Sequence, residues 1–463
     1  MFAVQNMDST TAANVTATFY DLSGSIPVGS GAACSNLQPN KSCIVDQRAS
    51  IGGLGGQTNW EGSVVLSSNT QLAAVVNELA GSYVTLGTDF RMDSYNGVGS
   101  SESATSVLLP QLLKLHLDPD TGKSYNSTIA IQNTSASAPA GVTITYKSRS
   151  GTTYVHSAIT IQPSSSYMIY LQNESVLPAY DPVQQSAFYG SGTVTSNQPI
   201  AVVVNHNAPG VLNAFQGFDI GAITKKKLYF PQVMKNHVDN GYYWSTSLLV
   251  MTTAPTAIVN VTYTERGTGR VLSSSHVANP AWGFDARYES VLASIADFFG
   301  SAVITADQPI IAVVAVWTNP VPNGQTEPRG QRSKYARAFM DGVGTAKVFF
   351  PQVWKNALDG GSGLNFGTSA VGQVLSGAPT TVTCTYYLSD GTTRVSTYIT
   401  TASDPLFYFD SRYDSQLPNN AIGAAVITTN GQPIAVTGHI FGANFSLVSG
   451  DSEGSFSGIN GTP

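Results

Sequence analysis

One phrase recurs along this chain at a spacing that no single domain requires. Leu-Pro-Gln-Leu at 109–112 returns as Phe-Pro-Gln-Val at 230–233 and again at 350–353, so Pro110, Pro231 and Pro351 stand 121 and 120 residues apart. A second phrase, Gln-Pro-Ile ahead of an apolar run, falls at 198–200, 308–310 and 432–434, with a degenerate copy, Gln-Leu-Ala, at 71–73. Four copies of the second phrase and three of the first predict four tandem units, the first lacking its opening element. A period of about 120 residues is too long for a solenoid and fits an array of whole domains. The expected boundaries are 1–100, 101–222, 223–343 and 344–463.

Within each unit the pattern is that of strands. Gly-Val-Thr-Ile-Thr-Tyr at 141–146 alternates with period two, as a strand with one buried face does. Its counterparts lie at 13–20, 257–263 and 380–387, each followed by a turn that ends at Gly24, Gly151, Gly267 or Gly391. Each unit holds about seven or eight short strands and almost no helical period, which predicts an all-β chain of four tandem antiparallel β-sandwich (Ig-like) domains. Pro199, Pro309 and Pro433 are expected at the first positions of their strands, where a missing N–H is tolerated.

Composition narrows the role. Only 11% of the 463 residues are charged, against about 25% in a typical globular protein. The 42% hydrophobic content is far from a disorder signature. The net charge is −6, and the sole basic run is Lys225, Lys226 and Lys227, so nucleic acid is not an expected partner. The longest apolar runs, such as 310–317, are strand-sized and far short of the ~20 residues of a membrane span. No leader peptide is legible, and an exported chain of this kind is expected in its processed form. Cys34 and Cys43 bracket a turn-rich loop that the other units lack, and a local disulfide between them predicts an oxidising compartment. Cys384 is expected as a small core residue.

The Val-Gln-Asn strand at 4–6 (echoed by Ile-Gln-Asn at 131–133), the Gly-Ser-Ala/Val segments and the Gln-Pro-Ile strands together resemble the tandem β-sandwich proteins of prokaryotic cell surfaces, including filament subunits and cell-envelope layer proteins. The resemblance covers the whole chain and rests on architecture. It implies an extracellular, non-enzymatic role without a cofactor. No Ser-His-Asp set, paired-carboxylate signature, Walker loop or CxxC pair stands out.

A sandwich lacking one strand exposes backbone groups and a strip of core, and such an edge recruits another strand. Residues 443–463 read as a spare tail, in which Phe445 and Leu447 alternate with Ser446. The expectation is head-to-tail assembly with copies of itself, the tail of one subunit completing the first repeat of the next by strand addition. The assembly residues would be Phe2, Val4, Phe445, Leu447, Phe456 and Ile459. Removal of 443–463 would then leave a folded monomer. Two other readings fit the same gap: a strand supplied from upstream of Met1, or a first domain that needs no further strand. A cell-surface adhesin or glycan-binding stalk is the alternative function, with Trp244 and Trp282 as aromatic candidates.

Other motifs are weaker. Asp118-Pro-Asp120-Thr-Gly122 has the alternating oxygens of a calcium loop but lacks the distal Glu. His116-Leu-Asp118 and His237-Val-Asp239 share a repeat position, which favours packing or turn chemistry over a metal pair. Phe-Asp-x-Arg-Tyr at 284–288 and 409–413 is expected to form a surface-loop salt bridge or to touch a neighbouring domain. Acceptor triplets for glycosylation occur at Asn14, Asn126, Asn133, Asn173 and Asn260, most of them at the frequency chance supplies.

Overall fold

The computed structural model describes residues 1–22, 27–47, 54, 60–80, 90–119, 122–239, 242–318, 333–358, 365–442, 450–451 and 453–461. Among these the chain is all-β: antiparallel sheets dominate, and the only helices are three single 3-10 turns. Among the described residues no helix is long and apolar enough to cross a membrane.

The strands follow the repeated phrases. The Pro-Gln strands are Ala104–Lys114, Lys227–Lys235 and Lys347–Leu358. Each pairs with the strand that carries the Gly-Ser segment of its own repeat: Phe188–Ala208, Phe298–Ala306 and Ala421–Thr429. The ladder slips by one residue at each Pro-Gln, between Leu109 and Leu112, Phe230 and Val233, and Phe350 and Val353. A proline there sacrifices no ladder bond, and the bulge turns the apolar residues on either side into the core. Leu109, Leu112, Phe230, Val233, Phe350 and Val353 are all buried. The recurring glycine of the Gly-Ser segment is required by close approach. A Cβ on Gly62, Gly190, Gly300 or Gly423 would lie 2.0, 2.1, 2.1 or 2.3 Å from a carbonyl oxygen of the adjacent strand.

One strand departs from expectation. Phe188–Ala208 runs unbroken through Pro199, pairing with Ala140–Ser148 in its first half and with Ser124–Asn133 in its second. Pro199 therefore marks a passage between two pairing partners, not a strand start. In the third and fourth repeats the chain breaks there, and Ile310–Thr318 and Ile434–Gly442 begin just after Pro309 and Pro433.

Each repeat ends in a closing strand: Phe90–Asn96, Val211–Gln216, Ser333–Arg337 and Glu453–Ser457. These antiparallel partners of Leu72–Ala80, Phe188–Ala208, Ile310–Thr318 and Ile434–Gly442 lie side by side, first to second, second to third, third to fourth, and fourth back to first. The four repeats thus close on themselves. Four hydrophobic clusters, each drawn mainly from one repeat, surround this centre.

This closure corrects the reading of both termini. The C-terminal segment is not spare: Glu453–Ser457 pairs with Ile434–Gly442, and Ile459 and Asn460 pair with Phe349 and Val348 of their own repeat. Phe456 is 2% exposed and sits 4.7 Å from the Phe350 ring, centroid to centroid. Phe2 and Val4 are buried in a strand that pairs on both sides, with Ser42–Val45 and Leu72–Ala80. The pull is local: a closing strand finishes the repeat it follows, as it does in repeats 2 and 3, where Phe218 pairs with Leu108 and Phe339 with Tyr229. Phe445 and Leu447 lie outside the described residues.

Deletion of 453–463 is accordingly expected to unfold the fourth repeat, not to release a folded monomer. Phe456→Ala alone should destabilise by about 3–5 kcal/mol, the usual loss for a buried Phe. Denaturant titration followed by tryptophan fluorescence tests both, and an unchanged midpoint in F456A would refute the tail's structural role.

Candidate functional site: the open edge of the first repeat and the central contacts

The strand Gly62–Ser68 is the first repeat's version of the strand that elsewhere carries a Pro-Gln partner. It pairs only with Ala13–Asp21, and no described strand lies on its outer edge. The effect shows in burial. Its inward-facing Val64 and Leu66 align with Gly192 and Val194, Ala302 and Ile304, and Ala425 and Ile427. Those counterparts are buried, Val194, Ile304 and Ile427 completely, whereas Val64 and Leu66 remain partly exposed. One end of this edge is covered by the second repeat, where Ser63 Oγ donates to the Ser164 carbonyl at 2.8 Å and Tyr170 donates to Glu61.

The three filled edges show what fits such a place. After each Pro-Gln, the strand presents an apolar residue, another apolar residue and a lysine: Leu112-Leu-Lys114, Val233-Met-Lys235 and Val353-Trp-Lys355. Each lysine ammonium reaches back to a leucine carbonyl of its own repeat, at Leu177 (3.3 Å), Leu292 (2.6 Å) and Leu417 (2.9 Å). The recurring lysine was visible in the sequence, four residues after each proline, but its partner is a loop carbonyl some 60 residues on, with no side-chain identity to betray it. Burial lowers the affinity of Lys114 and Lys235 for their protons.

At the centre, the Asp93 carboxylate joins three repeats. One oxygen accepts from the Ala214 N–H of repeat 2 at 2.6 Å, and the other accepts from the Ser455 N–H of repeat 4 at 3.0 Å and from Ser94 N–H at 2.7 Å. These donors favour the charged form, but complete burial, with Glu78 nearby, outweighs them and raises the carboxyl well above the usual range. Glu78 is raised by burial as well. A second layer links Asn96 to Ser457 (2.9 and 3.1 Å) and to Gln216, whose Oε1 accepts from Arg337 at 3.3 Å. Burial lowers the Arg337 guanidinium to about 10.

The remaining sequence candidates fall as follows. Cys34 and Cys43 are disulfide-linked, and Cys384 is buried and free. Asp118 closes a turn by accepting from Gly122 N–H, Asp120 lies outside the described residues, and no cluster of three metal-binding side chains occurs among those described. Asn14, Asn173 and Asn260 are exposed and Asn126 is half-buried. Asn133 is fully buried and donates to three backbone carbonyls, which removes it as a glycan acceptor in the folded protein. Trp244 is likewise buried, under the Lys334 ammonium, and not part of an exposed aromatic face; Trp282 stacks on His276 and Phe284. Arg412 of the Phe-Asp-x-Arg-Tyr phrase pairs with its own Asp410 and reaches Asp239 of repeat 3 at 3.4 Å.

No family model and no curated protein matches the chain. Among solved structures, the crystal structure of Thermotoga maritima 1070 is similar at 16% identity over 25% of this chain and 95% of that one, with a TM-score of 0.20.

A carboxyl raised by folding stabilises most below its unfolded value and loses that contribution as pH rises through its folded value. Wild type should therefore gain stability over Asp93→Asn as pH falls from about 8 to 4. Paired chemical denaturations at stepped pH test this; a gap that is constant, or that widens with rising pH, would contradict it.

Proposed function

We propose that this chain is a non-catalytic structural subunit of an extracellular, cell-surface assembly, and that its first repeat accepts an extended strand from another polypeptide. In this reading each repeat is an Ig-like antiparallel β-sandwich domain, and the first is completed in trans. The carrying observation is the incomplete burial of Val64 and Leu66 beside an edge with no described partner, at positions where the other three repeats are sealed. Strand addition supplies backbone bonds to such an edge, and pockets for alternate side chains select the sequence. The three in-chain examples define the donor as apolar-Pro-Gln-apolar-apolar-Lys.

Residues 453–460 are not offered as the donor, because they already pair within the fourth repeat. The contact remains heterologous, an edge on one chain and a strand on the next, and such contacts propagate into fibres when the donor is part of an identical subunit. The Cys34–Cys43 disulfide supports an oxidising, extracellular setting.

A labelled peptide copying residues 347–355 should bind the intact protein saturably, with Kd on the order of 1–100 μM given its unfolded free state. A peptide with both flanking apolar residues changed to Asp should not bind, and Leu66→Glu in the protein should abolish binding. Fluorescence anisotropy reads all three. No binding, or equal binding to L66E, would refute the acceptor role. Electron microscopy of the purified chain with and without the peptide then tests assembly, since a blocking peptide should dissolve any fibres.

A further inference from the structure

A second site lies between repeats 3 and 4, away from the open edge. A cavity of about 160 Å³ there is walled by aromatic and cationic side chains from both repeats, including Gln232, Trp244, Arg266, Lys334, Arg412 and His439. The largely exposed Tyr413 also lines it, so the cavity reaches the surface.

Comparison with the interface between repeats 4 and 1 shows what is unusual. There, Asn77 Nδ2 donates to Gln352 Oε1 at 2.8 Å. Gln352 follows the proline of its Pro-Gln strand, and Asn77 stands opposite Ser94 of its closing strand. The same two positions between repeats 3 and 4 hold Gln232, after Pro231, and His439, opposite Ser455. Here the pair does not meet. Gln232 Oε1 and both ring nitrogens of His439 are buried without a hydrogen-bond partner, and His439 is only 2% exposed. Buried polar atoms are as a rule hydrogen-bonded, so three unpaired ones around one cavity call for an occupant.

The charges specify its other end. Arg412 is matched by Asp410 and Asp239. The Arg266 guanidinium faces the rings of Phe299 and Tyr408 at 5.5 and 5.8 Å and has no carboxylate partner among the described residues. The Lys334 ammonium is close by, 4.7 Å from the Trp244 ring centre. Burial, with Lys334 nearby, holds His439 well below the usual histidine range, so the ring is neutral and offers one donor and one acceptor.

We propose that this cavity binds a small hydroxycarboxylate, its carboxylate on Arg266 and Lys334 and its hydroxyl groups on Gln232 and His439. The volume resembles that of an engineered cavity that holds benzene, which limits the ligand to about six to eight non-hydrogen atoms. A guanidinium recognises a carboxylate with two parallel bonds, and the unpaired amide oxygen and imidazole select for hydroxyls over a bare alkyl chain.

Glycerate, propionate and glycerol separate the two requirements. By isothermal titration calorimetry with the full chain, glycerate should bind saturably, propionate at least ten-fold more weakly, and glycerol not measurably. Arg266→Gln, at a half-buried position, and His439→Leu, inside the cavity, should each weaken glycerate at least ten-fold. Thermal melting of both variants guards against misfolding, and R266Q keeps the test standing if H439L does not fold. No glycerate binding up to about 10 mM, or unchanged affinity in R266Q, would overturn the proposal. A crystal structure grown with glycerate in which water alone bridges Gln232 and His439 would overturn it too. None of these outcomes bears on the strand-accepting edge, which lies in another repeat.

Discussion

The closure of four repeats turns on a buried carboxylate. Asp93 sits where the closing strands meet and takes backbone N–H groups from repeats 2 and 4 as well as from its neighbour Ser94. Taking a carboxylate out of water costs several kcal/mol; the three fixed N–H donors offset part of that, and burial still raises the carboxyl well above its usual range. Removing the acceptor would leave two backbone N–H groups of other repeats buried and unmatched. Its structural counterparts in the other closing strands are Asn213, Lys334 and Gly454, so the first repeat alone supplies this carboxylate, to repeats 2 and 4. Gly454 is part of the same fit: a Cβ there would stand 2.6 Å from Ser94 Oγ.

Closure decides which surfaces remain for other molecules. The closing strands and the Pro-Gln strands are paired inside the chain. The departures from repeat symmetry are what is left. One is the first repeat's unfilled edge, where Val64 and Leu66 lack a cover. The other is the contact between repeats 3 and 4, where His439 replaces a residue small enough to pair with its glutamine. Both are differences between equivalent places: the first against the three sealed edges, the second against the Asn77–Gln352 pair between repeats 4 and 1.

The recurring phrases and the all-β character were legible because they depend on local pattern: period-two alternation, turn residues and the spacing of Pro-Gln and Gln-Pro-Ile. The Gly-Ser segment was legible as a phrase, though its cause, a carbonyl 2.0–2.3 Å from where a Cβ would be, was not. The lysine after each Pro-Gln recurred in plain view, and only its reach to a distant leucine carbonyl gives it a role. The tail misled because alternation marks a strand without naming its partner. Phe456 pairs within its own repeat, to which a short connection joins it.

By itself the sequence determined that this chain is all-β and that the Pro-Gln and Gln-Pro-Ile phrases recur about every 120 residues, because both follow from residue spacing along the chain. Only the tertiary structure decided that the units close upon one another, that residues 453–460 pair within the fourth repeat, and that Gln232 and His439 face each other across a cavity without meeting. Those outcomes depend on which edges and side chains come together across more than a hundred residues, and no local pattern encodes that choice.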